Sequence, residues 1–163
     1  MSGAAVPVIA VDFDGKICGY AFPACGPPNM LTIEVLRQLR AEGWKIIIHS
    51  SRVNSEWPEP GRREKVEAMV RYLLAHDVPF DEIWGVVFER FSSDEGTQGY
   101  EWWFEPNLTG KPVAHVYWDD RGLGDVDQGV PEEIVARCRQ TYRRTQREYE
   151  ESMAKTAKRK HAP

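Results

Sequence analysis

Four apolar residues running straight into two carboxylates and a glycine constrain this chain more than any other feature. The stretch is Val8-Ile9-Ala10-Val11-Asp12-Phe13-Asp14-Gly15. A short, β-branched apolar run bounded by Pro7 and Gly15 reads as a strand buried on both faces. In an extended chain residues i and i+2 point the same way, so Asp12 and Asp14 are expected side by side where the strand runs out. Like charges that close repel unless a cation or a shared proton intervenes. Gly15 permits a sharp turn immediately afterwards. A carboxylate pair at the mouth of a buried strand suits two tasks: holding Mg²⁺ through hard oxygen ligands, or dividing nucleophile and acid–base roles. The alternative is a strand ending in an Asx turn with both acids solvated.

The same grammar recurs downstream. Asn29 is an N-cap, Leu31, Val35, Leu36 and Leu39 follow with helical period, and Gly43 is placed for a C-cap, which predicts a helix over 30–42. Trp44 to His49 is a second strand around Ile46-Ile47-Ile48 and ends in Ser50-Ser51-Arg52. Strand, helix, strand with both strands apolar throughout implies a parallel sheet covered by helices. Polar residues at the C-terminal ends of such strands belong at the ligand edge. A second helix is expected over 62–76, where Val66, Met69, Val70, Leu73 and Leu74 form a core stripe, and a third strand over 82–88. A fourth strand over 113–118 ends in Asp119-Asp120-Arg121-Gly122, a second acidic pair at a second strand end. His115 within it reads as a satisfied core or interface histidine.

Two stretches interrupt this order. Residues 18–28, with three prolines, form a loop leaving the first acidic pair. Residues 89–110 read as an irregular insertion carrying Tyr100, Trp102, Trp103 and Phe104. The insertion reads as a hairpin, a substrate lid or a contact surface, and its aromatics either fold back onto the core or offer a platform for a substrate ring. A long helix from Pro131 to about Met153 closes a single domain of 1–153, and 154–163 is a basic, frayed tail.

Composition narrows the partners. The formal net charge is −4. Residues 131–163 hold five Glu against nine Lys or Arg, so the rest of the chain is at −8. An acidic body needs a cation or a local positive group to accept a phosphate. Three cysteines without zinc-type spacing are read as reduced thiols in a cytoplasmic protein. Neither a membrane-spanning stretch nor a signal peptide is expected.

Taken in order, Asp-x-Asp, then Ser, then Lys, then Asp-Asp at strand ends resembles the haloacid dehalogenase-like superfamily of phosphohydrolases. The matching segments are Val8–Gly15, Ile46-Ile47-Ile48-His49-Ser50, Lys111, and Val116-Tyr117-Trp118-Asp119-Asp120. The likeness is greatest to small members with a minimal cap. It implies an α/β fold, a Rossmann-like three-layer sandwich with a mainly parallel sheet. It also implies a Mg²⁺-dependent phosphomonoesterase. Asp12 would be the nucleophile and would form an aspartyl-phosphate, and Asp14 the acid and base. Ser50 would bind a phosphoryl oxygen, and Lys111 would neutralise the phosphate and steady Asp12. Asp12, the carbonyl of Asp14, Asp119 and Asp120 would hold the metal, with Asp120 ligating directly or through water. Ser51, Arg52 and Lys16 join Ser50 and Lys111 as candidate substrate contacts.

Lys16 departs from the pattern, which has Thr or Val there. A lysine at that position either swings out toward phosphate or puts an ammonium beside Asp14, making it a poorer acid. A catalytically impaired binding or regulatory protein on the same fold is the alternative. An open site admits a nucleotide, a nucleic-acid end, a phosphoprotein or a sugar phosphate. The sequence leaves the oligomeric state open.

Overall fold

A computed structural model describes residues 5–108, 110–119 and 129–160. Its elements, in chain order, are β1 (Val8–Asp12), α1 (Met30–Ala41), β2 (Lys45–His49), a single 3-10 turn (Ser51–Val53), α2 (Gly61–Ala75), β3 (Glu82–Ile83), β4 (Val86–Ser92), β5 (Gln98–Phe104), β6 (Val116–Trp118) and α3 (Pro131–Lys160). They form a six-stranded sheet in the order β5-β4-β3-β2-β1-β6. The central pairings β2–β1, β1–β6 and β2–β3 are parallel, and β3–β4 and β4–β5 are antiparallel.

Alternation along the strands decides what covers each face. Ile9, Ile46 and Val116 are register partners, as are Val11, Ile48 and Trp118. These six residues join one continuous core with Ile33 and Leu36 of α1, Met69 and Leu73 of α2, and Ile134 and Cys138 of α3. The opposite face carries Ala10, Ile47 and Tyr117 and is approached by the connector 105–115. Tyr117 Oη donates to Pro112 O at 2.6 Å, and Trp84 Nε1 donates to Gly110 O at 3.0 Å. Helices, sheet and connector give an α/β fold consistent with a Rossmann-like three-layer sandwich. Both faces of β2 are sealed: Ile46, Ile47 and Ile48 are buried, each contributing about 2 kcal/mol of transfer free energy. That seal explains why a continuous apolar run was needed.

Helix α1 has the caps its sequence predicts. Asn29 Oδ1 accepts from Thr32 N, and Gly43, at φ +87°, donates its N–H to Arg40 O at 2.9 Å. Three expectations are corrected. The third strand is not continuous over 82–88 but breaks at Trp84-Gly85. Gly85 adopts φ +86°, and a Cβ there would lie 2.7 Å from Val53 Cγ1, so a side chain would collide as well as strain the backbone. Segment 89–110 is not irregular throughout: β4 and β5 form a regular hairpin paired from Val86–Phe104 to Ser92–Gln98. Helix α3 continues to Lys160, through most of the stretch expected to fray.

The hairpin settles where the aromatics go. Tyr100, Trp102 and Phe104 alternate toward α2, whereas Trp103 is 42% exposed. Glu67 on α2 accepts from Tyr100 Oη at 2.7 Å and from Trp102 Nε1. The Arg62 guanidinium lies 3.6 Å from the centre of the Phe104 ring. Among the described residues, no helix is long and apolar enough to cross a membrane.

Candidate functional site

Parallel register brings the acidic strand ends together. Asp12 is the register partner of His49, and Val11 is the partner of Trp118, so Asp119 follows at the level of Asp12. By alternation Asp12 and His49 project to the connector face, and Asp119 continues the Tyr117 row on that face. Phe13 N donates to Asp12 Oδ1 at 2.8 Å and orients the carboxylate. The imidazole of His49 has its pKa pushed below the usual value, first by burial and then by the Lys111 ammonium, with the Asp119 carboxylate opposing. Lys111 and Asp119, distant in sequence, are thus both within electrostatic reach of the end of β2.

Asp14 goes elsewhere. The chain leaves the extended conformation after Asp12, because Lys16, Ile17 and Cys18 all turn their N–H groups to Phe13 O. The Asp14 carboxylate is gripped on both oxygens by Arg52, Nε to Oδ2 at 2.8 Å and Nη2 to Oδ1 at 2.7 Å. Arg52 is completely buried. It also donates to Pro23 O and Ala24 O, both at 2.9 Å, and lies between the rings of Phe13 and Phe22. Two expectations change here. Arg52 is not a substrate contact, because every face of its guanidinium is occupied by protein. Asp14 does not stand beside Asp12 as a second open carboxylate, because the turn and the guanidinium draw it to the loop 18–28.

The remaining predicted residues divide. Lys16 is only 3% exposed, so it is not the outward-swung cation the sequence allows. Ser50 caps the 3-10 turn, its Oγ accepting from Arg52 N at 3.2 Å, so its own O–H can donate to a ligand. Ser51 and Lys111 are exposed at the same edge. Asp120 lies outside the described residues. The thiols of Cys18 and Cys138 are buried, and burial pushes both pKa values up, that of Cys138 to about 12, which leaves them unreactive.

A cleft of about 460 Å³ opens from this edge, with His49 and Ser50 in its wall. It continues past Ser51 and Asn54 to Trp84, Glu105 and Leu108. The sequence reading assigned no role to His49, Trp84 or Glu105. His49 could have been found from its position, since it is the last residue of the β2 run and the step before Ser50. Trp84 and Glu105 had no such signal: a hairpin was one of the readings of 89–110, but its pairing register, which brings Trp84 and Glu105 together, was not legible.

The donor chemistry suits a hard cation. Asp12 and Asp119 each follow the register pair Val11–Trp118 by one residue, and Asp14 lies two residues beyond Asp12; magnesium takes one or two carboxylates plus water and phosphate oxygens. Among the described residues, no group of three or more carboxylate, imidazole or thiol side chains converges.

The class these observations define is an α/β protein with a polar site at the C-terminal edge of parallel strands. No family model matches the chain, and no curated protein matches it. Among solved structures, a conserved protein from Bacteroides thetaiotaomicron superposes with a TM-score of 0.51 at 20% identity, over 80% of this chain and 88% of the other. A structural-genomics target from Vibrio cholerae gives a TM-score of 0.41 at 24% identity, over 48% of this chain and 68% of the other. The first shares the fold.

Proposed function

We propose that this chain is a haloacid dehalogenase-like phosphohydrolase that releases phosphate from a phosphomonoester through an aspartyl-phosphate on Asp12. The observation that supports the reading is the register that pairs Asp12 with His49 and sets Asp119 just past the end of the neighbouring strand, with Lys111 and Asp119 both within electrostatic reach of His49. A carboxylate oxygen of Asp12 attacks phosphorus, the bond to the ester oxygen breaks, and that oxygen leaves as the alcohol with a proton from the Asp14 carboxyl. Water then gives a proton back to Asp14 as it attacks the aspartyl-phosphate, freeing phosphate and restoring Asp12. Lys111 offsets the charge of the phosphoryl group, and the O–H of Ser50 donates to one of its oxygens. Asp12, Asp119, Asp120 and the carbonyl of Asp14 would hold Mg²⁺, which when bound supplies charge neutralisation that an acidic body otherwise lacks.

A second reading has its own support. Asp14, the expected acid and base, has both oxygens on a buried guanidinium. A carboxylate with both oxygens bound to a buried guanidinium is not free to turn toward a leaving group. That favours a slow enzyme, or a binding protein that keeps the fold and has lost turnover. Phosphate release from an aryl phosphate in Mg²⁺ separates the readings. Asp12→Asn is expected to bring release to background while the unfolding midpoint stays near that of the parent. Undiminished release by the variant removes Asp12 as nucleophile. No Mg²⁺-dependent turnover by the parent across a broad phosphate panel supports the binding protein.

A further inference from the structure

We infer that the cleft running from Ser50 to Leu108 holds the leaving group of the substrate, and that this group is a heteroaromatic ring bearing N–H donors, as in a purine nucleoside monophosphate. The inference rests on the phosphohydrolase reading for the phosphate end and adds the class of alcohol. The cleft is lined by His49, the register partner of Asp12, and by Ser50, so it adjoins the phosphate edge and can take the alcohol of a phosphomonoester held at Asp12. Its volume, about 460 Å³, falls within the roughly 300–1,000 Å³ of pockets that enclose small organic ligands and exceeds what a bare phosphate needs.

Its walls differ in chemistry. Trp84 presents an indole whose plane is fixed, because Nε1 donates to Gly110 O at 3.0 Å. Leu108, 39% exposed, and Val53 extend this apolar surface. A ring stacked there needs no sequence of its own to be read, since every base offers a π-face. Ser51 and Asn54 also line it with a hydroxyl and an amide, and Glu105 adds a carboxylate, while the Arg62 guanidinium in the same wall donates to Val53 O. A carboxylate accepts two adjacent N–H donors at once, the arrangement a guanine edge offers. The aromatics of the hairpin do not compete for this role: Trp102 and Phe104 are occupied by Glu67 and Arg62.

The test compares phosphate release, in Mg²⁺, from guanosine 5′-monophosphate and from glycerol 3-phosphate, for the parent, Trp84→Ala and Leu108→Arg. The parent is expected to favour the nucleotide in kcat/KM. Each variant is expected to lower that ratio about tenfold, the loss of one stacked ring or the filling of its space. Leu108 is a surface residue, so its variant keeps the question open if Trp84→Ala fails to fold. Turnover with no preference for the ring, or a ratio unmoved in Leu108→Arg, overturns the subsite while the phosphohydrolase reading stands. If the parent turns over neither compound, calorimetry with guanosine decides. Binding by the parent that Leu108→Arg abolishes upholds the cleft with the reaction lost. No binding by the parent overturns the cleft.

Discussion

Asp14 and Arg52, 38 residues apart, form a two-point ion pair in which the arginine is fully buried and the aspartate side chain is 9% exposed. This pair does more than neutralise two charges. The same guanidinium ties down the carbonyls of Pro23 and Ala24, and Tyr72 Oη of α2 donates to Gly26 O at 2.9 Å, so two side chains hold the loop 18–28 in place.

Removing the guanidinium strands a buried carboxylate. Arg52→Met is expected to lower stability by about 3–5 kcal/mol, as single breaks of buried pairs do. Urea unfolding measures it. Asp14→Leu combined with Arg52→Met is expected to recover part of the loss, since no lone charge remains.

On the proposed phosphohydrolase reading Lys111 would serve chemistry and little packing, since its side chain is exposed. Lys111→Met is therefore expected to reduce phosphate release by about 10²-fold or more with an unchanged unfolding midpoint. Steady-state kinetics beside a urea titration would show a paired fall in both if the lysine were structural.

His115 sets an acid limit on stability. Its Nδ1 accepts from Val8 N at 3.0 Å, and Gln146 meets its Nε2 at 3.0 Å. Burial holds its pKa below the usual 6.5, so folding favours the neutral ring. Its contribution is complete above pH 6.5 and is lost as the pH falls through the lower folded value. The stability gap between the parent and His115→Gln should be widest at pH 7.5 and shrink on acidification. A gap that widened toward pH 5 would contradict this sign.

Glu67 anchors the hairpin to α2 by accepting from Tyr100, Trp102 and Arg71. Burial raises its pKa, but these three donors more than offset that, and the net shift is downward. Glu67→Ala is expected to cost about 2–3 kcal/mol, the range for hydrogen bonds to a charged acceptor. Hydrogen exchange should quicken first in β5.

Local chemistry carried much of the architecture. Apolar runs such as Ile46-Ile47-Ile48 can only be strands covered on both faces, and the Asn29 and Gly43 caps fix α1 within a residue or two. These signals work because each depends on neighbours a few positions away. The acidic ends of β1 and β6 were legible for the same reason, and parallel pairing then places them side by side.

What the sequence by itself determined is the sheet's parallel centre and the identity of the residues at its C-terminal edge. Tertiary structure alone decided which of those residues open into the cleft and which are closed off by protein. Arg52 reads as a surface cation until the loop 18–28 closes over it, and Asp14 reads as the twin of Asp12 until Arg52 claims it. Trp84 and Glu105 share a cleft only because Gly85 reverses the chain into a hairpin. Side-chain direction and charge pairing depend on segments tens of residues away, and no local pattern encodes that distance.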